Sequence, residues 1–425
     1  MMPGSDSMPD APCDLCLANA TTADGGTIAI DVAAGRVAAL RDADAPAPPA
    51  GCTIDLAGAL VLPGLSDGHI HLDKCMLGLD WRPHRAQGSV RAIIEDEKAF
   101  RRAARTPLAR QGAEALLDRM IRGGTTSLRT HVDIDDVTGL DHLAQILALR
   151  ARWSDRMQIQ IVAFPQSGIL RCPPVAAYLD EALRMGADLV GGLDPVGIDG
   201  DRDGPLDTVF ALAERHGRGI DIHLHDAGEA GLDEIDAIVA RTRAAGLGGR
   251  VTVSHAFALA DADDRRLGRT AEALNRAGVA ILSSVPGGRR CPPIPRLRDL
   301  GVAVCFGTDN VRDCWNPSSV TSMVARAQLA AYRFDLRSDA DLTALLDPIT
   351  AVPAEVLGLG PGILAPGLRA DLVAFDAACA PQVIVERQEP ILVVAQGVVA
   401  VDRRTLESPI SSARFGTAPL PPHGR

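Results

Sequence analysis

His69 and His71 stand two residues apart in Leu62-Pro63-Gly64-Leu65-Ser66-Asp67-Gly68-His69-Ile70-His71-Leu72-Asp73-Lys74. The apolar run Ala59 to Leu62 leads towards them, so the pair is predicted to end a strand. Residues i and i+2 share one face of a strand. Two imidazoles so placed reach one metal ion at about 2.1 Å each. A single His-x-His is commonly a coincidence. It gains weight here because further strand-like runs end in metal- or proton-handling residues: His223 with His225, His255, and Asp309. His69, His71, His223 and Asp309 supply three imidazoles and one carboxylate, a set suited to one Zn²⁺ or Fe²⁺ with a position left for water. Such a metal would lower the pKa of that water towards neutrality and generate a hydroxide nucleophile. His255 could hold or deprotonate the water together with Asp309.

These residues need a scaffold that aims strand ends at one point. The middle of the chain repeats amphipathic helix, glycine, short buried strand. In Gln111 to Arg122 the apolar residues Ala113, Leu116, Leu117, Met120 and Ile121 follow the helical period. Gly123-Gly124 then stops the helix, and Thr125 to Asp133 reads as a strand. The pattern recurs through strands at 188–194, 220–226, 251–255, 279–284 and 302–309. With the His69 strand and Gln158 to Phe164, about eight strands alternate with helices. The fold class is therefore α/β, a (β/α)₈ TIM-type barrel over residues 63–362, whose site lies at the C-terminal strand ends. A doubly wound sheet would instead gather ligands at one switch point. Residues 13–62 and 363–408 read as short strands and turns, neither long enough for its own core. Together they are predicted to form one small β-sandwich, with 1–12 and 409–425 as tails.

The 47% apolar content allows a large core, and the net charge of −11 argues against nucleic acid or an anionic membrane as partner. Nine cysteines, an odd number in a long chain, suggest a reducing compartment rather than a disulfide framework. Cys13-Asp14-Leu15-Cys16 has no second pair and reads as part of a first strand. No signal peptide or membrane-spanning run is legible, and the cytoplasm is the expected location. His131 also ends a strand, where packing is as good a reading as catalysis. His84, His142, His216 and His423 read as ordinary. Lys74 either orients a loop or substrate carbonyl, or is solvated. Trp81, Trp315 and Phe257 are candidates to line a pocket.

The chain resembles the amidohydrolase superfamily, in the branch of bacterial cytosine deaminase and the s-triazine aminohydrolase acting on N-isopropylammelide. The resemblance runs from about Asp55 to Ala400. It is carried by His69-Ile70-His71-Leu72-Asp73-Lys74, Leu128 to Asp133, Gln160 to Gly168, Gly186 to Gly192, Ser254-His255 and Cys305 to Asn310. It implies that His69, His71, His223 and Asp309 are the metal ligands, that His255 activates water, and that Gln166 holds the substrate ring. Lys74, Asn310 and Trp315 are further expected substrate contacts. Bacterial cytosine deaminases read His-Cys-Asp-Glu after the fifth strand, with the Glu shuttling a proton. Here that stretch is His223-Leu224-His225-Asp226, similar to the triazine enzyme, so His225 or Asp226 must carry the proton. Glu229 lies further on and reads as off the site.

The expected function is hydrolysis of an exocyclic C–N bond on a small planar N-heterocycle, with ammonia or an alkylamine leaving. The resemblance leaves room for a homo-oligomer, with no interface legible. Three rivals stand beside it: a cyclic amide hydrolase of the dihydroorotase type, a non-catalytic relative, and a metal-free barrel. The absence of a lysine at the end of Gln158 to Gln166 argues against a second, lysine-bridged metal and against the first rival. The intact ligand set argues against the other two.

Overall fold

The terminal sheet starts with β1 (Cys13–Thr21), β2 (Thr27–Ala33), β3 (Arg36–Asp42), β4 (Ala50–Asp55) and β5 (Leu60–Pro63). The computed structural model describes residues 12–84, 88–103, 108–288, 290–318 and 320–404. The tail through residue 11, residues 405–408 of the expected sandwich, and the 409–425 tail with His423 fall outside these. β1 is shared by two sets of partners. Its Cys13–Ala18 stretch pairs with β4, while Thr21 pairs with Leu60 of β5. The apolar run before the histidine pair thus belongs to β5 in this sheet rather than to the strand that carries the pair.

The chain then enters the barrel. Its strands are β6 (Leu65–Ile70), β7 (Thr125–Asp133), β8 (Gln158–Phe164), β9 (Leu189–Leu193), β10 (Gly219–His223), β11 (Val251–Ser254), β12 (Val279–Ser283) and β13 (Val304–Phe306). They pair in parallel in sequence order. Every residue of β6 and β7 is buried, as expected of barrel strands covered on both faces. The seam closes where the Asp309 N–H donates to the His69 carbonyl at 2.8 Å and Ile70 bridges Asp309. A Cβ on Gly307 would lie 2.6 Å from the His69 Cβ and carbonyl oxygen, so only glycine allows this approach. Gly307→Ala is expected to cost about 1–3 kcal/mol as an overpacked seam, read as a lower urea midpoint with an unchanged slope.

The helices between these strands are α1 (Val90–Ala103), α2 (Leu108–Arg122), α3 (Asp141–Arg152), α4 (Pro174–Met185), α5 (Asp203–His216), α6 (Gly228–Ala244), α7 (Asp264–Ala277) and α8 (Ile294–Asp299), with α9 (Met323–Arg333) after β13. α7 shows why they form. Asp263 caps its start by accepting from the Arg266 N–H at 2.7 Å, Leu267, Ala271 and Leu274 give the buried face, and Gly278 ends it at φ +63°. β14 (Leu372–Phe375), β15 (Leu392–Ala395) and β16 (Val398–Asp402) return to the terminal sheet, where β14 pairs antiparallel with β5. The run Leu392 to Ala400 turns at Gln396-Gly397 between β15 and β16. The N- and C-terminal strands share a core of Leu17, Ile30, Val61, Leu372 and Val394. The architecture is the expected barrel with a small β-sandwich from both termini. Among the described residues no helix is long and apolar enough to cross a membrane.

Candidate active site

The expected ligands meet at the C-terminal end of the barrel. His69 lies in β6, His71 just past it, His223 ends β10, and Asp309 follows β13. The three imidazoles are 0–3% exposed. His71 Nε2 and His223 Nε2 lie 3.3 Å apart. His69 Nε2 and His71 Nε2 each lie 3.6 Å from Asp309 Oδ1. Donors about 2.0–2.1 Å from one five-coordinate ion stand roughly 2.9–3.6 Å from their neighbours, which these three separations fit; His69, His71 and Asp309 form one candidate ligand group, and His69, His223 and His255 another. His69 Nε2 is buried without a hydrogen-bond partner. Burial holds His69, His71 and His223 well below the ordinary imidazole pKa, which keeps them in the neutral form a metal requires. Burial also raises Asp309, opposed by nearby His225, Arg326 and Lys74.

Two more histidines cover this set. His255 follows β11, with its Nδ1 4.0 Å from Asp309 Oδ2. His225 stacks on His255 with ring centroids 4.4 Å apart. The Asp194 carboxylate, at the end of β9, accepts from His225 Nδ1 at 2.8 Å and from the His225 backbone N–H at 2.5 Å. One carboxylate thus fixes both the ring and the backbone of His225. Asp194 gave no signal in the sequence beyond its place at a strand end. Asp226 turns elsewhere. Its carboxylate accepts from the Gly197 N–H at 2.7 Å and borders Glu234, and it does not line the cavity. Glu229 is exposed at the start of α6.

The histidines floor a cavity of about 930 Å³. Gln166, Lys74, Asn310, Trp315 and Phe257 line it as expected, and Phe164 joins them, stacked on His223 at 4.0 Å. Trp81 does not line it: it is 64% exposed and borders a second, smaller cavity with His84. Lys74 is buried rather than solvated. It donates to Gln166 Oε1, lies 3.1 Å from Asp133 Oδ1 and 3.6 Å from Glu97 Oε2, and sits 5.4 Å from the Trp315 ring centre. Burial alone would lower the Lys74 pKa, but Asp133 and Glu97 hold the group raised and charged. Because Gln166 presents its oxygen to Lys74, its amide nitrogen is the end left to donate. Glu97 also accepts from Trp315 Nε1 at 2.9 Å, so helix α1 positions the indole. Asn310 donates to Asp313 at 2.6 Å.

His131 is fully buried, its ring centre 4.0 Å from that of His69. His142, read as ordinary, lies with its Nδ1 2.9 Å from Asp73 Oδ2, and the same oxygen accepts from the Asp133 backbone N–H at 3.0 Å. His216 pairs with Asp180 at 2.8 Å on the outer helices. Several residues around the mouth hold left-handed backbone: Asp194 at φ +33°, His255 at +69°, Val285 at +47° and Asp309 at +62°. Each such residue costs on the order of 1–3 kcal/mol.

Residues 52–401 match the model of the amidohydrolase family. The chain is 31% identical over 357 residues to N-isopropylammelide isopropyl amidohydrolase of Pseudomonas sp. (strain ADP), across 82% of this chain and 87% of that protein. The solved structure of N-isopropylammelide isopropylaminohydrolase from Burkholderia multivorans superposes with a TM-score of 0.88 at 38% identity, covering 92% of this chain and 99% of that one. The 5-methylcytosine deaminase of Klebsiella pneumoniae, liganded with 5-fluorocytosine, gives 0.83 at 26% identity, covering 91% and 97%.

Proposed function

The chain belongs to the amidohydrolase family, and from that premise we propose that it hydrolyses the exocyclic C–N bond of an amino-substituted s-triazine, with an alkylamine leaving. The observation that carries this reading is the convergence of His69, His71, His223 and Asp309 beneath the stacked pair His225 and His255, in a cavity flanked by Phe164 and Trp315. One divalent metal, Zn²⁺ or Fe²⁺, held by these four residues would supply activation of water at neutral pH.

The side chains do the rest. A planar ring in this cavity would pack between the walls that Phe164 and Trp315 contribute. Gln166, its oxygen tied to Lys74, donates from its amide nitrogen to the ring edge. His255 and Asp309 accept the proton of the attacking water as its oxygen bonds to the amine-bearing carbon. That proton is handed on through His225, which lies against His255 and is oriented by Asp194, to the exocyclic nitrogen; the C–N bond breaks, and the amine departs with it. The triazine reading over cytosine is supported by His223-Leu224-His225-Asp226: Asp226, at the position of the deaminases' glutamate shuttle, is turned to the Gly197 N–H, and the histidine before it, held by Asp194, lines the cavity instead.

Protein dialysed against a chelator and reloaded with Zn²⁺ or Fe²⁺ is to be incubated with N-isopropylammelide, ammelide and cytosine, and released amine measured. Isopropylamine from the first with cytosine inert is expected, along with loss of release in the chelated sample and its return on reloading. Ammonia from cytosine with no isopropylamine would replace the triazine reading by a deaminase one. No amine from any of them would withdraw the substrate class.

A further inference from the structure

The barrel interior beneath the site holds a chain of buried polar side chains that no step above uses. Arg129 of β7 is 2% exposed. Its Nη1 donates to Asp221 Oδ2 at 2.8 Å and Thr252 Oγ1 at 2.9 Å, its Nε to Gln160 Oε1 at 2.8 Å, and its Nη2 to the Val356 carbonyl at 2.8 Å. Asp221 Oδ1 accepts from Ser254 Oγ at 2.7 Å. Ser254 Oγ lies 3.0 Å from His69 Nδ1. Asp221 and Ser254 are 0% exposed.

The directions of these bonds follow from donor counting. Asp221 is ion-paired with the Arg129 guanidinium at 2.8 Å, and as the carboxylate of that pair it has no hydrogen to give. Ser254 has one hydroxyl hydrogen, and Asp221 takes it. Towards His69, Ser254 can then only accept, so the hydrogen of His69 sits on Nδ1. The lone pair is left on Nε2, the nitrogen that faces Asp309 Oδ1 at 3.6 Å. We propose that Arg129, Asp221 and Ser254 are positioning residues that fix the tautomer of His69 and so set the affinity of the metal site. The proposal rests on the ligand set described above and is independent of the substrate.

Asp221→Asn tests it with a sign. The new amide must turn its oxygen to Arg129, and its NH₂ then donates to Ser254 Oγ. The serine hydrogen passes to His69 Nδ1, and the imidazole hydrogen moves to Nε2, against the metal. The Kd for Zn²⁺, from competition with a chromogenic chelator in the absence of substrate, is expected to rise roughly 10–100-fold, the usual cost of losing an outer-sphere partner. Ser254→Ala removes the partner without reversing it and should lose less; Ser254→Thr keeps the hydroxyl and should stay near wild type. A folded Asp221→Asn protein with the wild-type Kd overturns the proposal, as do equal losses in Asp221→Asn and Ser254→Ala. Should Asp221→Asn fail to fold, an unchanged Kd in Ser254→Ala overturns it. Long-range ¹H–¹⁵N correlation on the metal-free wild-type protein, assigned by His69→Asn, reads the tautomer directly. A hydrogen on Nδ1 is expected, and one on Nε2 overturns the proposal.

Discussion

His71→Ala is expected to abolish both metal retention and amine release. His71 Nε2 stands 3.3 Å from His223 Nε2 and 3.6 Å from Asp309 Oδ1, so its loss removes one of four converging donors and leaves a cavity where an imidazole was. The affinity loss should exceed the ~10–100-fold typical of an outer partner. Metal analysis after gel filtration, beside an amine-release assay, checks it. Stoichiometric metal in an active His71→Ala protein would sink the ligand assignment. The fold should survive, because a ligand at the barrel mouth is not part of the hydrophobic interior.

His225→Ala is expected to separate chemistry from metal binding. His225 is held by Asp194 through both its ring and its backbone, over His255 and beside the ligand set. Removing a positioned acid–base group costs about 10²–10⁴-fold in rate. The loss should fall on kcat, with metal content retained. Asp226→Asn should cost far less, because Asp226 serves the Gly197 N–H rather than the cavity and an amide oxygen can accept the same bond. If kcat held in His225→Ala and KM alone rose, His225 would be a ring-binding group. If Asp226→Asn were the more damaging change in kcat, the proton path would run through Asp226.

Much of this arrangement was legible in the chain. Thr125 to Asp133 and Gln158 to Phe164 are strands at the bounds read from the sequence, the first marked by the Gly123-Gly124 helix stop before it and the second by its alternating apolar residues. The histidines at 69, 71, 223 and 255 and Asp309 gather because each stands at a strand end, where parallel topology sends all side chains to one mouth. What was illegible depends on how loops turn. Asp226 sits three residues beyond the end of β10, past the reach of strand alternation, and its direction is set by the turn at Pro195–Asp199. Glu97, which holds Trp315, lies in a helix with no counterpart in the repeating pattern. His142 reads as one more helical histidine, and only the packing of α3 beside Asp73, in the turn after β6, reveals its partner. Ion-pair partners distant in sequence leave no periodicity to read.

The seam between β6 and β13 gives the ligand set a consequence for biogenesis. One pair of donors belongs to the first barrel strand and the carboxylate follows the last, joined across the seam by the Asp309 N–H and the His69 carbonyl. On the proposed ligand set, a nascent chain could assemble the metal site only once Asp309 has left the ribosome and the barrel has closed. A metal held by this set would tie the first barrel strand to the segment after the last, so its uptake would report a closed barrel.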